Sequence, residues 1–333
     1  MAEGSVLVTG GAGYIGSHAV LALLDAGRRV VVVDNLVTGF AWAVDPRATL
    51  VEAAVEDEAT VRAVMREHDV VAVMHFAGSV VVPESVSDPL KYYRNNTAAS
   101  RSLIESAVAC GVRHFLFSST AATYGIPEQV PVREDAPKAP INPYGMSKLM
   151  TEIMLKDVAA AHPINYCALR YFNVAGADPE GRSGQSTAGA THLIKVAVEA
   201  ATGKRGYVSV FGSDFATEDG TGVRDYIHVS DLAAAHVHAL DLLMAKPEES
   251  HTLNCGYGRG YSVNQVLDAV DRVTNLTIER RMEGRRPGDP DALVADNHVI
   301  LATLPWRPQH DDLDRIVSDA LAWERRLAER GHV

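Results

Sequence analysis

Cysteine is scarce in this 333-residue chain, with only Cys110, Cys167 and Cys255, scattered and without C-x-x-C spacing. That argues against a disulfide framework and a thiolate metal centre; it fits a reducing compartment, and no metal is expected. Long apolar runs are missing as well. No stretch approaches the roughly 18–20 residues of a membrane span, so no membrane partner is expected. The opening Met1-Ala2-Glu3-Gly4-Ser5 has no basic region leading into a long apolar one, so no signal peptide is read and a cytoplasmic location is expected. Basic residues are in deficit: 31 Lys and Arg against 42 Asp and Glu give a formal net charge of −11. So acidic a chain is a poor partner for a nucleic-acid backbone, although a local basic pocket stays open. Internal repeats and low-complexity tracts are absent.

What remains is an ordinary globular composition, 47% apolar and 22% charged, in a chain long enough for two lobes. Val6-Leu7-Val8 reads as a buried strand ending in Thr9-Gly10-Gly11. Ile15, Ala19, Ala22, Leu23 and Ala26 then keep helical spacing, closed by Gly27. Val30-Val31-Val32-Val33 is a second buried strand, ending at Asp34; later runs are 70–74, 115–117 and 167–169. Continuous apolar strands alternating with helices predict a doubly wound α/β fold, a parallel sheet covered on both faces. Gly11, Asp34, Gly78, Thr120 and Asn173 fall at the C-terminal ends of these strands, the edge where such sheets bind ligands. Residues 176–190 form a Gly/Ser-rich loop, read as the exit to a second, smaller lobe or a binding loop.

Gly11-x-Gly13-x-x-Gly16 and Gly10-x-x-Gly13-x-x-Gly16 overlap between the first strand and the first helix. Glycine allows the tight turn and close backbone approach that seats a pyrophosphate on a helix N-terminus. Asp34 follows Gly16 by 18 residues, at the end of the next strand. A carboxylate there accepts from ribose hydroxyls and disfavours a 2′-phosphate, which points to NAD rather than NADP.

Tyr144 and Lys148 are four apart, on one helix face. A neighbouring ammonium favours phenolate, so Tyr144 is expected to have a lowered pKa and to act as a general base. Ser118-Ser119-Thr120 ends the preceding core strand. A Ser/Thr cluster alone is ordinary turn chemistry; beside Tyr144 and Lys148, Thr120 is expected to bond the reacting oxygen.

Together with His75-Phe76-Ala77-Gly78 and Asp34-Asn35, these motifs resemble the extended short-chain dehydrogenase/reductase superfamily, with its Rossmann-type sheet. Glu84-Ser85-Val86, Pro143-Tyr144-Gly145, Arg170-Tyr171-Phe172-Asn173 and the ten residues Asp219 to His228 resemble more narrowly the UDP-glucose 4-epimerase (UDP-galactose 4-epimerase) family, nearly end to end. The resemblance implies a Rossmann NAD lobe of 1–174 plus about 225–255, and a UDP-sugar lobe of about 175–224 plus 256–333. It implies a homodimer, and catalysis by Tyr144, Lys148 and Thr120. It implies cofactor contacts at Gly10, Gly13, Tyr14, Ile15, Gly16, Asp34, Asn35, Phe76, Ala77, Gly78, Asn95, Ser118, Tyr144, Lys148 and Tyr171. Substrate contacts are implied at Thr120, Tyr144, Asn173, His192, Phe211, Arg224, Arg286, Asp289 and Leu293.

Three positions depart from the family pattern. Ala53-Ala54-Val55 stands where Gly-Asp-Ile is frequent, Val80 where a Lys is frequent, and His192 where an Asn is frequent. Losing the acid and the Lys implies weaker NAD retention than usual. Leu293 is intermediate in size at a position that lines the sugar pocket, so N-acetylated sugars stay open. The implied activity is interconversion of UDP-galactose and UDP-glucose through a transient 4-keto sugar. A UDP-N-acetylglucosamine 4-epimerase or dual-specificity enzyme is the close alternative, and a non-enzymatic NAD sensor on the same fold the distant one. Ala121-Ala122 after Thr120 argue against dehydration and decarboxylation, which need acid/base groups there.

Overall fold

The valine run 30–33 shows how the sheet is built. Val30 and Val32 enter the core on one face, Val31 and Val33 the core on the other. Strand side chains alternate, so a sheet covered twice needs a continuous apolar run. The structure, a computed structural model, describes residues 4–286 and 288–329.

The strands in chain order are β1 (Ser5–Thr9), β2 (Arg29–Asp34), β3 (Thr49–Glu52), β4 (Val70–His75), β5 (His114–Thr120), β6 (Asn165–Tyr171), β7 (Asn173–Ala175), β8 (Val208–Phe211), β9 (Val223–His228), β10 (His251–Cys255), β11 (Gly260–Ser262), β12 (Arg280–Glu283) and β13 (Ala292–Leu293). The main sheet has the order β10-β6-β5-β4-β1-β2-β3. Every pairing in it is parallel. Its order reverses between β1 and β4, and that switch point opens a crevice at the C-terminal edge.

The helices are α1 (Tyr14–Asp25), α2 (Glu58–Glu67), α3 (Val82–Ser87), α4 (Pro89–Tyr92), α5 (Ala99–Ala109), α6 (Pro143–Ala161), α7 (Leu193–Ala201), α8 (Val229–Ala245), α9 (Val263–Thr274), α10 (His298–Thr303) and α11 (Leu313–Glu329). Gly27 closes α1 as expected: it has φ +75°, and Arg28 N–H reaches back to the Leu23 carbonyl. Ala19, Val20 and Leu23 of α1 pack with Leu232, Ala239 and Leu243 of α8 on one face. Val61 of α2, Leu103 of α5 and Leu155 of α6 cover the other.

The smaller lobe is built around β9, which pairs with β7, β11 and β13, beside the parallel pair β8–β12. Its core joins Ile194 and Val198 of α7, Val266 and Val270 of α9, and Ile316 and Val317 of α11. The chain crosses between the lobes repeatedly. After β9 it returns through α8 and β10, and Ile300 and Trp306 pack into the main core. Among the described residues no helix is long and apolar enough to cross a membrane.

Candidate active site

The first turn of α1 is left for a ligand. Its N-cap is Gly13, no side chain caps it, and no acidic residue lies in the first turn, so the amides of Tyr14, Ile15 and Gly16 face the crevice edge uncapped. Gly10 has φ +71°. A Cβ on Gly16 would lie 2.1 Å from the Gly10 carbonyl oxygen, so the loop closes only with glycine there. The Tyr14 hydroxyl donates to the Gly176 carbonyl at 2.7 Å, tying the loop to the start of the Gly/Ser-rich segment. Ile15 packs partly buried against the main core.

Asp34 ends β2 and is buried. Its Oδ2 accepts from Ala12 N–H at 2.9 Å and its Oδ1 from Leu36 N–H at 2.9 Å. A carboxylate has about four acceptor positions, so capacity remains for ribose hydroxyls. Exposed Asn35 turns its Oδ1 to Val37 N–H at 3.2 Å. This glycine cradle with a fixed carboxylate fits NAD. The 53–55 stretch offers it no side-chain acid. The nearby Asp57 is committed to capping α2, accepting from Thr60 N–H at 3.2 Å. Val80 is half exposed.

The end of β4 supplies the opposite wall. The Phe76 ring lies 4.8 Å from the His236 ring, and the Ala77 backbone abuts Gly10. Around Gly78 stand Asn96 and Lys148. The Asn95 amide donates to the Ser79 hydroxyl at 3.1 Å. Sequence reasoning missed Asn96, the buried neighbour. It accepts from Ser79 N–H at 2.7 Å and donates to Ser147 Oγ at 3.0 Å, fixing the 78–79 turn to α6. A π-helical turn, Tyr93–Ala98, points it inward.

Asn142 caps α6 by accepting from Gly145 N–H at 2.8 Å, which sets Tyr144 in the first turn and Lys148 one turn on. Lys148 is buried, its Nζ donates to the Ser118 carbonyl at 3.0 Å, and it lies 5.0 Å from the Phe117 ring centroid. Burial lowers this ammonium to about 8. The Tyr144 hydroxyl is hydrogen-bonded to the Thr120 hydroxyl, and its ring meets Tyr92 edge-on at 6.4 Å. Here one expectation is corrected. Burial pushes the Tyr144 phenol up, and only the Thr120 bond pulls it back. The ammonium expected to bring it toward neutrality is itself desolvated and engaged with Ser118. Thr120 Oγ1 also accepts from Ala122 N–H at 3.1 Å. Ser118 and Tyr171 share a hydroxyl–hydroxyl hydrogen bond beneath this group.

The smaller lobe brings four of the expected substrate residues together. The Arg286 guanidinium stacks 3.7 Å from the Phe211 ring centroid. Asp289 N–H bonds the Arg286 carbonyl, and the Asp289 carboxylate accepts from Arg224 at 3.2 Å. Leu293 pairs with Arg224 across β13–β9 and packs on Ala121, Tyr124 and Val132, immediately after Thr120. Asn173 pairs with Tyr226 of β9, two residues along the strand from Arg224. Asn173 and His192 line one pocket with Gln185, Lys195 and Trp323. The His192 Nδ1 accepts from the Gln185 amide at 2.8 Å.

His228, His310 and Asp319 bring ligand-type atoms within 4.8 Å of one another. The chemistry is that of a cap rather than a metal centre. His228 Nδ1 accepts from Ser230 N–H, so Nε2 carries the proton and donates to Asp319 at 3.2 Å. Arg315 takes the same carboxylate oxygen at 2.6 Å.

The match to the NAD dependent epimerase/dehydratase family model covers residues 6–256. This chain belongs to that family. A UDP-glucose 4-epimerase of Azospirillum brasilense is 55% identical over 97% of this chain and 93% of its own. Among solved structures, a UDP-glucose 4-epimerase from Stenotrophomonas maltophila with bound NAD and formylated UDP-arabinopyranose superposes with a TM-score of 0.95, at 38% identity over 98% of this chain and 100% of that one. The UDP-Glc/GlcNAc 4-epimerase from Campylobacter jejuni gives 0.85 at 44% identity, over 97% and 99%. As in the family, the cofactor of this epimerase/dehydratase is NAD.

Proposed function

We propose that this chain is a UDP-glucose 4-epimerase, interconverting UDP-galactose and UDP-glucose. The observation that carries the reading is the convergence of Thr120, Tyr144 and Lys148 at the sheet edge that also bears the glycine cradle and Asp34. Tyr144 removes the proton from the sugar 4-hydroxyl while Thr120 holds that oxygen in line. NAD would be held by Gly10–Gly16 and Asp34 and would supply a hydride acceptor that is restored within each turnover. Lys148, beside Gly78 and the Ser118 carbonyl, would hold the cofactor's ribose. The 4-keto sugar turns over about its diphosphate linkage, and Tyr144 returns the proton on the other face. Arg224 and Arg286 pair the diphosphate, as a guanidinium fork does. Phe211, Asn173, His192 and Asp289 hold the remainder of the nucleotide sugar.

In this reading residues 1–174 with about 225–255 hold NAD, and about 175–224 with 256–333 hold the UDP-sugar. The placement of α8 and β10 against the main sheet, and of β8–β12 outside it, supports that division. The reading also makes the protein a cytoplasmic homodimer serving galactose metabolism, supported by the family resemblance and by three unpaired cysteines.

One observation favours a second reading. Leu293 stands beside Ala121 and Tyr124 with less bulk than an aromatic side chain, which leaves room for an N-acetyl group. The test is chromatography of purified protein incubated with UDP-galactose and, separately, UDP-N-acetylgalactosamine, with and without added NAD. Conversion of UDP-galactose alone is the expected result. Conversion of both establishes dual specificity, and conversion of neither, with NAD present, refutes epimerisation of these sugars in favour of an NAD sensor.

A further inference from the structure

Three strands carry polar side chains in register beneath the catalytic group. Ser119 of β5 lies opposite Arg170 of β6, and Arg170 lies opposite Asn254 of β10. Glu152 reaches the same layer from α6, where 144, 148 and 152 follow one helix face. Glu152 and Arg170 are 7% and 4% exposed, and an ion pair that deep has to be satisfied on every side. It is: Glu152 Oε2 accepts from Arg170 Nη2 at 2.5 Å, and Glu152 Oε1 accepts from Arg170 Nε at 2.9 Å and from the Ser119 hydroxyl. Arg170 Nη1 donates to the Tyr124 hydroxyl at 2.9 Å, and that hydroxyl donates to Asn254 Oδ1 at 2.7 Å. The Asn254 amide bonds the Val132 carbonyl, and the Val132 backbone pairs with Val294 and Asp296 just after Leu293.

The two ends of this layer are the two moving parts of the proposed chemistry. Ser119 precedes Thr120, and Glu152 is one turn beyond Lys148 and two beyond Tyr144. We infer that the Glu152–Arg170 pair is a positioning clamp: it fixes α6 against β5 so that the Tyr144 and Thr120 hydroxyls stay in contact, and through Tyr124 and Asn254 it fixes the pocket wall at Leu293. The inference rests on the epimerase reading for its kinetic consequence but not for its geometry. A buried pair is a weak source of net stability, because desolvation cancels much of the Coulomb attraction. Orientation is different, since a displacement of about 1 Å at a reacting group costs on the order of 100-fold in rate.

The test compares wild type with Ser119→Ala, which removes one hydrogen bond and leaves the ion pair, and with Glu152→Gln. For Ser119→Ala, kcat for UDP-galactose is expected to fall about 10-fold with KM within about 2-fold, the signature of a contact that matters only in the transition state. The acid limb of its kcat–pH profile is expected to move to higher pH, because a slack Thr120 bond no longer favours phenolate. Glu152→Gln is expected to do the same more strongly, and a misfolded product leaves Ser119→Ala as the deciding variant. A second measurement needs no turnover: the ¹³Cζ resonance of Tyr144, assigned by its loss in Tyr144→Phe, is titrated in wild type and Ser119→Ala. An upward move of its midpoint supports the clamp even if wild type epimerises nothing, in which case only the activity reading falls. An unmoved midpoint, whatever happens to the melting temperature, overturns the clamp.

Discussion

Lowering the pH from 7 to 5 should destabilise this protein through its buried histidines. His18, His75 and His236 are buried and neutral, and burial lowers them to about 4, about 3 and about 4. The hydrogen bonds agree. His18 Nε2 accepts from Asp178 N–H at 3.1 Å, a bond that a proton on that nitrogen would abolish. His75 is enclosed between Thr9 and Ser100 hydroxyls at 2.7 and 2.8 Å. His236 Nδ1 meets the Leu232 carbonyl at 2.9 Å, among Phe76 and Tyr171. Their native values lie below the ordinary histidine value of about 6.5, so the unfolded chain binds more protons and stability is lost as pH falls through 6.5 toward 4. Between pH 7 and 5 each histidine contributes a loss of about 1.8 kcal/mol, or about 5.5 in all. Asp225 opposes them. Burial pushes it up to about 6, so the folded form holds its proton first and recovers about 1 kcal/mol. The net loss of about 4 kcal/mol is large against the 5–15 kcal/mol of a typical fold. With a urea m-value of about 3 kcal/mol/M for a chain of this size, the unfolding midpoint should fall by about 1–1.5 M. Urea titrations at pH 7, 6 and 5, followed by far-UV circular dichroism and tryptophan fluorescence, measure it. A midpoint flat across that range, with loss only below pH 4, would refute the reasoning.

Tyr144→Phe should lower turnover of UDP-galactose by about 10²–10⁴-fold with unchanged circular dichroism, since only the hydroxyl is lost; near-normal turnover would remove Tyr144 from the base role. With no acid at 53–55 and Val80 half exposed, NAD should be lost progressively on dialysis; cofactor extracted and quantified by fluorescence at one equivalent per chain after exhaustive dialysis would contradict this. Gly16→Ala should abolish NAD binding in an equilibrium titration and lower stability, because its Cβ lies 2.1 Å from the Gly10 carbonyl oxygen and the neighbouring atoms are backbone; unchanged binding would mean the loop reopens cheaply.

The five central strands were legible because burial on two faces demands an unbroken apolar run, as in 30–33. β7, β11 and β13 are two or three residues long and carry no such run, so no period distinguishes them from loop. The same limit divides the site. Gly10 to Gly16, Asp34, and the pair Tyr144–Lys148 are short-range patterns whose spacing is itself the geometry. Arg170, Glu152, Tyr124 and Asn254 meet only because β5, β6 and β10 pair in one register. Glu152 continues the 144–148 spacing by four, and that was the one local signal available for the layer.

The Tyr144–Lys148 pair shows where spacing stops being sufficient. Four residues along α6 do place both groups at the crevice, yet the charge effect expected from proximity is absent. An ammonium beside a phenol favours phenolate only if it faces the phenol, and Lys148, at about 8, is still mostly charged at neutral pH. Here the fold has withdrawn both groups from water. Burial lowers Lys148 to about 8 and sends its Nζ to the Ser118 carbonyl, while Tyr144 is pushed up and held by Thr120. Desolvation acts on each group alone and is invisible to sequence spacing; the pair interaction is what spacing reports. A phenol in this state is a poor base at neutral pH. Positive charge brought by an oxidised cofactor would pull the phenol down again. The Tyr144 resonance should therefore titrate at lower pH with NAD bound than without, and an unchanged midpoint would remove that charge from the account.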